Sequence, residues 1–343
     1  MSNTKKEHYV PRCYLKNFTF KNGRINVFDK SNATVRENQN IFDVAMENYF
    51  YDIDLVKEIT SLPYDSQEKI YTDLSHILRA NDKESINDEL SSYTKLLEDK
   101  FANLESNYGV LLDKIKKISN RKYFKNHFGI SNRLKNIFSK YIAIQILRTK
   151  DTREKIRDLY EKLNKELVFR EFKRMGYDIN REEIDVESKK VFIKLQHILM
   201  IMDDENIKCF SNVFKSHIWV FYINKTNIPF YTSDSPIVTI PHISDKYISY
   251  SGIKSKGVEV VFPINSELLL AMYEKSYHSK EYKDRKFVNL YNVEKVNIYN
   301  SFQVLSCHRT VFSKNNDFKM ALDLCKYNPQ IMDISNKIIV NEN

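Results

Sequence analysis

Between Pro63 and Pro229 the chain contains no proline, and this long interval most restricts what it can fold into. Proline interrupts helices by removing a backbone donor and clashing with the preceding turn, so its absence leaves long helices free to form. The apolar pattern agrees. Leu90, Tyr93, Leu97, Phe101, Leu104, Tyr108, Leu111, Leu112 and Ile115 recur at three- and four-residue spacing, as one face of a helix does. A second helix is expected from Ser131, a candidate N-cap, with Leu134, Ile137, Phe138, Tyr141, Ile142 and Ile144 on its stripe and an end near Thr149. A third runs through Leu159, Leu163, Leu167 and Phe172 to a stop at Gly176, and a fourth covers about 184–205.

Outside that interval the period shortens to two. Residues 23–29 and 34–36 read as a hairpin turning at 30–33. After about 215, strands are expected at 218–223, 237–240, 257–263 and 268–273, with a helix at 292–307 and a last strand at 310–313. The fold class is therefore α+β, with β-rich N- and C-terminal segments forming one mixed or antiparallel sheet around a long-helix middle region. The expected divisions are 1–52, 53–212 and 213–343, the first and last able to form one domain. No internal repeat is visible.

Cys13, Cys209, Cys307 and Cys325 form no CxxC pair, which disfavours a zinc ribbon or disulfide framework and suits a reducing cytoplasm. MSNTKKEH lacks the apolar core of a signal peptide, and the run Ile198–Met202 is too short to span a bilayer, so no membrane association is expected. HExxH, GxSxG, Walker and GxGxxG spacings are absent.

The formal net charge is +9, which an AT-rich genome alone can produce; the distribution says more. From Lys114 to Lys150 there is no Asp or Glu, yet the window holds Lys114, Lys116, Lys117, Arg121, Lys122, Lys125, Arg133, Lys135, Lys140, Arg148 and Lys150. Tyr123, Phe124, His127 and Phe128 lie among them. Cations with interleaved aromatics suit a phosphate backbone and its bases. The alternative is a solvated surface neutralised by acids elsewhere.

Gln145 and Arg148 project into the apolar stripe of the second helix. A buried arginine requires a carboxylate, a phosphate or several carbonyls. Glu105, at the edge of the first helix's stripe, is its natural structural partner. Ser233-Asp234-Ser235-Pro236 ends a strand, where Asp234 either caps its own turn or displays a carboxylate. At the N-terminus, Pro11 stiffens the segment between His8 and Arg12, and Tyr14, Leu15 and Phe18 read as anchors.

These residues together resemble the uncharacterised bacterial domain-of-unknown-function 4238 family. The likeness rests on His8, Val10-Pro11-Arg12, Tyr14-Leu15 and Phe18, then Glu47 with Tyr49-Phe50-Tyr51, Leu104-Glu105, and Gln145 to Thr149. It continues at Pro229 to Pro236, Phe262-Pro263-Ile264 and Asn300 to Val304. Cys13 stands where the family has an aromatic, and Lys150 where it often has proline. The resemblance implies that His8, Arg12, Glu105, Gln145, Arg148, Asp234 and Asn300 belong to one pattern, either a converging site or a buried polar network that fixes the fold.

The leading expectation is a nucleic-acid-directed effector, a nuclease of RNA or DNA in bacterial anti-phage defence. His8 is its general acid or base, Arg12 and Arg148 hold the scissile phosphate, and Asp234 and Glu105 orient His8 or hold Mg²⁺ or Mn²⁺. Gln145, Asn300, Gln303, Ser233, Tyr14, Lys117, Arg121, Lys122 and Lys125 complete the substrate contacts. The alternatives are a non-enzymatic sensor or adaptor for nucleic acid or nucleotide, and a small-molecule enzyme. A partner protein and a homo-oligomer both stay open.

Overall fold

A computed structural model describes residues 6–51, 53–78, 80, 82–120 and 129–334. The chain opens with β1 (Lys6–His8), α1 (Arg12–Leu15), a hairpin of β2 (Arg24–Asp29) and β3 (Thr34–Asn40), and β4 (Met46–Asn48). The helical region follows as α2 (Leu55–Thr60), α3 (Tyr64–Leu78), α4 (Lys83–Ser119), α5 (Asn132–Leu147), α6 (Lys150–Arg174), α7 (Lys190–Met202) and α8 (Asp204–Ser216). The remainder comprises β5 (Ile218–Asn224), β6 (Thr232–Ser233), β7 (Val238–Pro241), β8 (Val258–Asn265), β9 (Leu268–Tyr273), α9 (Lys275–His278), β10 (Lys286–Leu290), α10 (Val293–Ser306), β11 (Thr310–Ser313) and α11 (Lys319–Tyr327). The protein is α+β. Among the described residues, no helix is long and apolar enough to cross a membrane.

The helices begin where their caps stand. The Ser131 hydroxyl accepts from Leu134 N to open α5, and the Thr149 hydroxyl accepts from Thr152 N to open α6. α6 stops before Gly176, whose φ of +84° is cheap only for glycine. The expected fourth helix, about 184–205, forms only as α7: residues 184–189 are not helical, and Asp203, in an extended backbone, ends α7 and caps the next helix, α8, at Glu205 N.

The expected single sheet is also divided. β10-β5-β9-β8-β7 form one sheet, and β3-β2-β11-β6 form another. The N-terminal hairpin joins the C-terminal segment through β2, antiparallel to β11 with Val27 opposite Phe312. β6 and β7 belong to different sheets, so residues 234–237 must carry the backbone from one to the other. β1 pairs only with β4, placing His8 opposite Met46.

One core links all three regions. Tyr14 of α1 stacks on Phe262 of β8 at 5.2 Å and on Tyr108 of α4 at 6.4 Å, and Phe138 of α5 meets Trp219 of β5 edge-on. The Tyr14 hydroxyl donates to Pro263 O at 2.7 Å and meets Thr232 Oγ1 at the same distance, tying the N-terminus to both sheets.

Candidate functional site

The polar residues singled out above fall in three places. The first is a latch between the N-terminal strand and the helices. Arg148, buried at the C-terminal end of α5, donates from Nη2 to the His8 carbonyl at 2.7 Å and to Glu105 Oε1 of α4 at 3.0 Å. Its guanidinium lies 4.4 Å from the centroid of Phe101, and the Tyr51 hydroxyl donates to the Arg148 carbonyl at 2.6 Å. The His8 ring is half-buried, with Nε2 donating to Ile41 O at 3.2 Å. Burial lowers its pKa, against the opposing pull of that bond. Arg12 is exposed and stacks over Phe42 at 4.6 Å.

The second place is the crossing between the sheets. Backbone buried outside a ladder must find partners elsewhere, and side chains supply them here. Asp234 Oδ1 accepts from His308 N at 2.8 Å, while Oδ2 accepts from Arg309 N at 2.8 Å, Thr310 N at 2.7 Å and the Thr310 hydroxyl at 3.1 Å. Gln303 donates to Pro236 O and accepts from the Ser233 hydroxyl. Asn300 donates to Pro229 O and accepts from Tyr231 N. Ser233, Asn300 and Gln303 are wholly buried.

Asp234 also lines a polar cleft of about 240 Å³ with Tyr9, Arg36, Glu47, Lys150, His308 and Arg309. Neither His8 nor Arg12 lines it. Adjacent residues of an extended segment face opposite ways: the His8 ring meets Ile41 O, whereas Tyr9 lines the cleft with Asp234 and Glu47. Burial, then Asp234 and Glu47, push the Tyr9 phenol well above its ordinary pKa. Arg309 grips Asp29 through Nε and Nη2 at 2.8–3.0 Å and holds its carboxyl below the usual range despite burial. His8, Arg12, Glu105 and Arg148 thus come together, and Asp234 sits apart from them with Ser233 and Gln303. Sequence reasoning did not find Arg36, His308 and Arg309, which come from separate segments with no shared periodicity.

A further buried pair was also missed. Arg153 Nε donates to His197 Nδ1 at 3.1 Å, and His197 Nε2 donates to Leu147 O at 2.8 Å. Burial, reinforced by Arg153, pushes the His197 pKa down to about 3. The available signal was a histidine at four-residue spacing between Ile193 and Ile201 on an apolar helix face.

The third place lies between the C-terminal end of α4 and the N-terminal end of α5. Of the acid-free window's cations, Lys116, Lys135, Arg148 and Lys150 are ion-paired with Asp113, Asp284, Glu105 and Glu47. Lys114, Lys117, Arg133 and Lys140 are exposed, with no carboxylate in ion-pair distance among the described residues. Arg121, Lys122 and Lys125 lie outside the described residues. Lys114 and Lys117 line a groove of about 610 Å³ with Val110, Asp113, Ile118, Gly129, Ser131 and Leu134, Asp113 being the partner of Lys116. A Cβ on Gly129 would fall 2.1 Å from the Arg285 carbonyl, so only glycine lets this wall bridge to Lys286 of β10. Gln145 is buried on α5 with neither amide atom hydrogen-bonded. Among the described residues, no three His, Cys, Asp or Glu side chains are arranged to hold a metal ion.

The architecture and these sites define an α+β protein in which a buried polar latch ties the N-terminal strand to the helical middle. The chain belongs to the family described as protein of unknown function (DUF4238), whose model matches residues 6–317. Comparison with the curated proteins and with the solved structures gave no significant match.

Proposed function

We propose that the protein is a nucleic-acid-directed binding module, holding a phosphate backbone on the groove between α4 and α5. The supporting observation is the division of labour among the cations of the acid-free window. Four are spent on internal ion pairs, whereas Lys114 and Lys117 face an open groove beside the N-terminal end of α5. A helix N-terminus presents free amides and a partial positive charge, which adds to the attraction for phosphate.

The test is fluorescence-anisotropy binding to total RNA, tRNA and single- and double-stranded DNA at two salt concentrations. The expected result is affinity that falls steeply with salt. Replacing Lys114 and Lys117 together by Glu should weaken binding at least about tenfold and lower the salt slope by about two. Absence of salt-dependent binding to every nucleic acid refutes the reading.

A hydrolytic form of the same reading is favoured by one observation. Half-buried His8 lies four residues from the exposed Arg12, and burial lowers its pKa, in the direction a general base needs. In this form Mg²⁺ or Mn²⁺ supports turnover. His8→Ala should then abolish cleavage while the melting temperature moves by no more than about two degrees. Binding without turnover, with or without either metal, leaves the binding module alone.

A further inference from the structure

The polar cleft beside the sheet crossing holds two donors that the fold leaves unspent. Its other charged groups are satisfied within the chain. Lys150 is paired with Glu47 at 2.7 Å, and Asp43 with Lys6 at 2.6 Å. Asp234 is met by the amides of 308–310 and the Thr310 hydroxyl. Arg309 grips Asp29. Arg36 of β3 differs from these. Its guanidinium stands 3.9 Å from Asp29 Oδ2, within ion-pair distance, yet donates no hydrogen bond among the described residues. Tyr9 is the second unspent donor. It is only 8% exposed and packs on Phe50 at 5.1 Å, and its hydroxyl makes no hydrogen bond among the described residues. A buried hydroxyl without a partner costs free energy that an acceptor restores. Burial, then Asp234 and Glu47, push the phenol pKa well up, so the hydroxyl keeps its proton and can donate it.

We propose that this cleft binds a small monocarboxylic acid, with its carboxylate on Arg36 and a second oxygen on the Tyr9 hydroxyl. The charges select a ligand with one negative charge. Glu47 and Lys150 cancel, as do Asp43 and Lys6, and Asp234 spreads its charge over four donors. Arg36 and Arg309 share the single carboxylate of Asp29, which leaves one positive charge over at that end. The planar guanidinium fork matches a carboxylate with two parallel hydrogen bonds. A dianionic phosphate would bring a second negative charge toward Asp234 and Glu47, which line the same cleft. The volume is about 240 Å³. A water takes up about 30 Å³ of the liquid, so the cleft admits a carboxylate and several further heavy atoms.

Saturation-transfer NMR and calorimetric titration of the full chain with sodium lactate test the site. Lactate carries one carboxylate and one hydroxyl and should bind saturably, whereas lactamide, its neutral counterpart, should not. Arg36→Gln should weaken lactate binding at least about tenfold, and Tyr9→Phe, which keeps the ring against Phe50, about fivefold. Both variants should keep the parent's circular-dichroism spectrum. The chain carrying Lys114→Glu and Lys117→Glu should bind lactate as the parent does, which separates this cleft from the nucleic-acid groove. Absence of saturable lactate binding, equal binding of lactamide, tighter binding of inorganic phosphate than of lactate, or an Arg36→Gln variant that binds as the parent does overturns the proposal.

Discussion

Arg148→Met separates a structural from a chemical role for the most heavily engaged polar residue of the latch. The substitution keeps the length and packing of the side chain and removes its charge. It takes away a charge-assisted hydrogen bond to the His8 carbonyl at 2.7 Å, a bond of a kind worth about 1.5–3 kcal/mol. It also breaks the 3.0 Å pair with Glu105. Glu105 is a quarter exposed and can rehydrate, so about 1 kcal/mol is the larger part of that loss. Loss of the guanidinium over Phe101 costs a further ~0.5–1 kcal/mol. Against this, Arg148 Nε is buried without a partner, and removing it returns about 1 kcal/mol. The net destabilisation is about 3 kcal/mol. For a chain of 343 residues unfolding as one unit, that lowers the melting temperature by about 4 °C. Urea denaturation followed by far-ultraviolet circular dichroism measures it directly. A variant that melts within about 1 °C of the parent and yet loses nucleic-acid binding or turnover refutes the latch argument, because Arg148 then acts on a ligand.

Two other substitutions probe the same logic elsewhere. Asp234→Asn retains shape but turns an amide NH₂ toward backbone donors at 308–310, so it should cost about 3–5 kcal/mol in urea unfolding; a loss below about 1 kcal/mol refutes the assignment of that carboxylate to the sheet crossing. His197 titrates near 6.5 when unfolded and near 3 when folded, so the unfolded chain binds the extra proton between those values. Its contribution to stability is therefore complete above about pH 6.5 and declines toward pH 3 by up to about 1.4 kcal/mol per pH unit. His197→Phe should flatten the dependence of unfolding free energy on pH between 4 and 6, and identical slopes in the two proteins refute the linkage.

Much of the fold was legible because its signals are local. A proline-free interval with three- and four-residue spacing can hardly form anything but helices, and Ser131 and Gly176 mark boundaries by their own backbone and side-chain chemistry. The parts that were not legible depend on distant segments. β10 is five residues, KFVNL, without clear alternation, and it becomes a strand by lying parallel to β5. The division into two sheets is imposed at residues 234–237, where nothing in the local sequence distinguishes a hairpin turn from a crossing.

The candidate site divides in the same way. The Glu105–Arg148 pair was readable because an arginine in one helix's apolar stripe requires a charge, and the facing helix offers one acid at the edge of its own stripe. The cleft was not readable, because the extended segment points His8 one way and Tyr9 the other, and only the docked segment shows which of them meets Asp234. Once it docks, the spread of the family pattern over the chain has a physical account. Buried backbone needs partners, and they come from whichever elements close over it: Gln303 of α10 takes Pro236 O at the crossing, Asn300 of α10 serves Pro229 O and Tyr231 N ahead of it, and Asp234 takes the amides of 308–310. Residues distant in sequence then belong together through the backbone they serve. The cations between α4 and α5 differ in degree: Asp113 takes Lys116 in an ion pair, whereas Lys114 and Lys117 have no carboxylate in ion-pair distance among the described residues, and the proposed phosphate contact rests on those two.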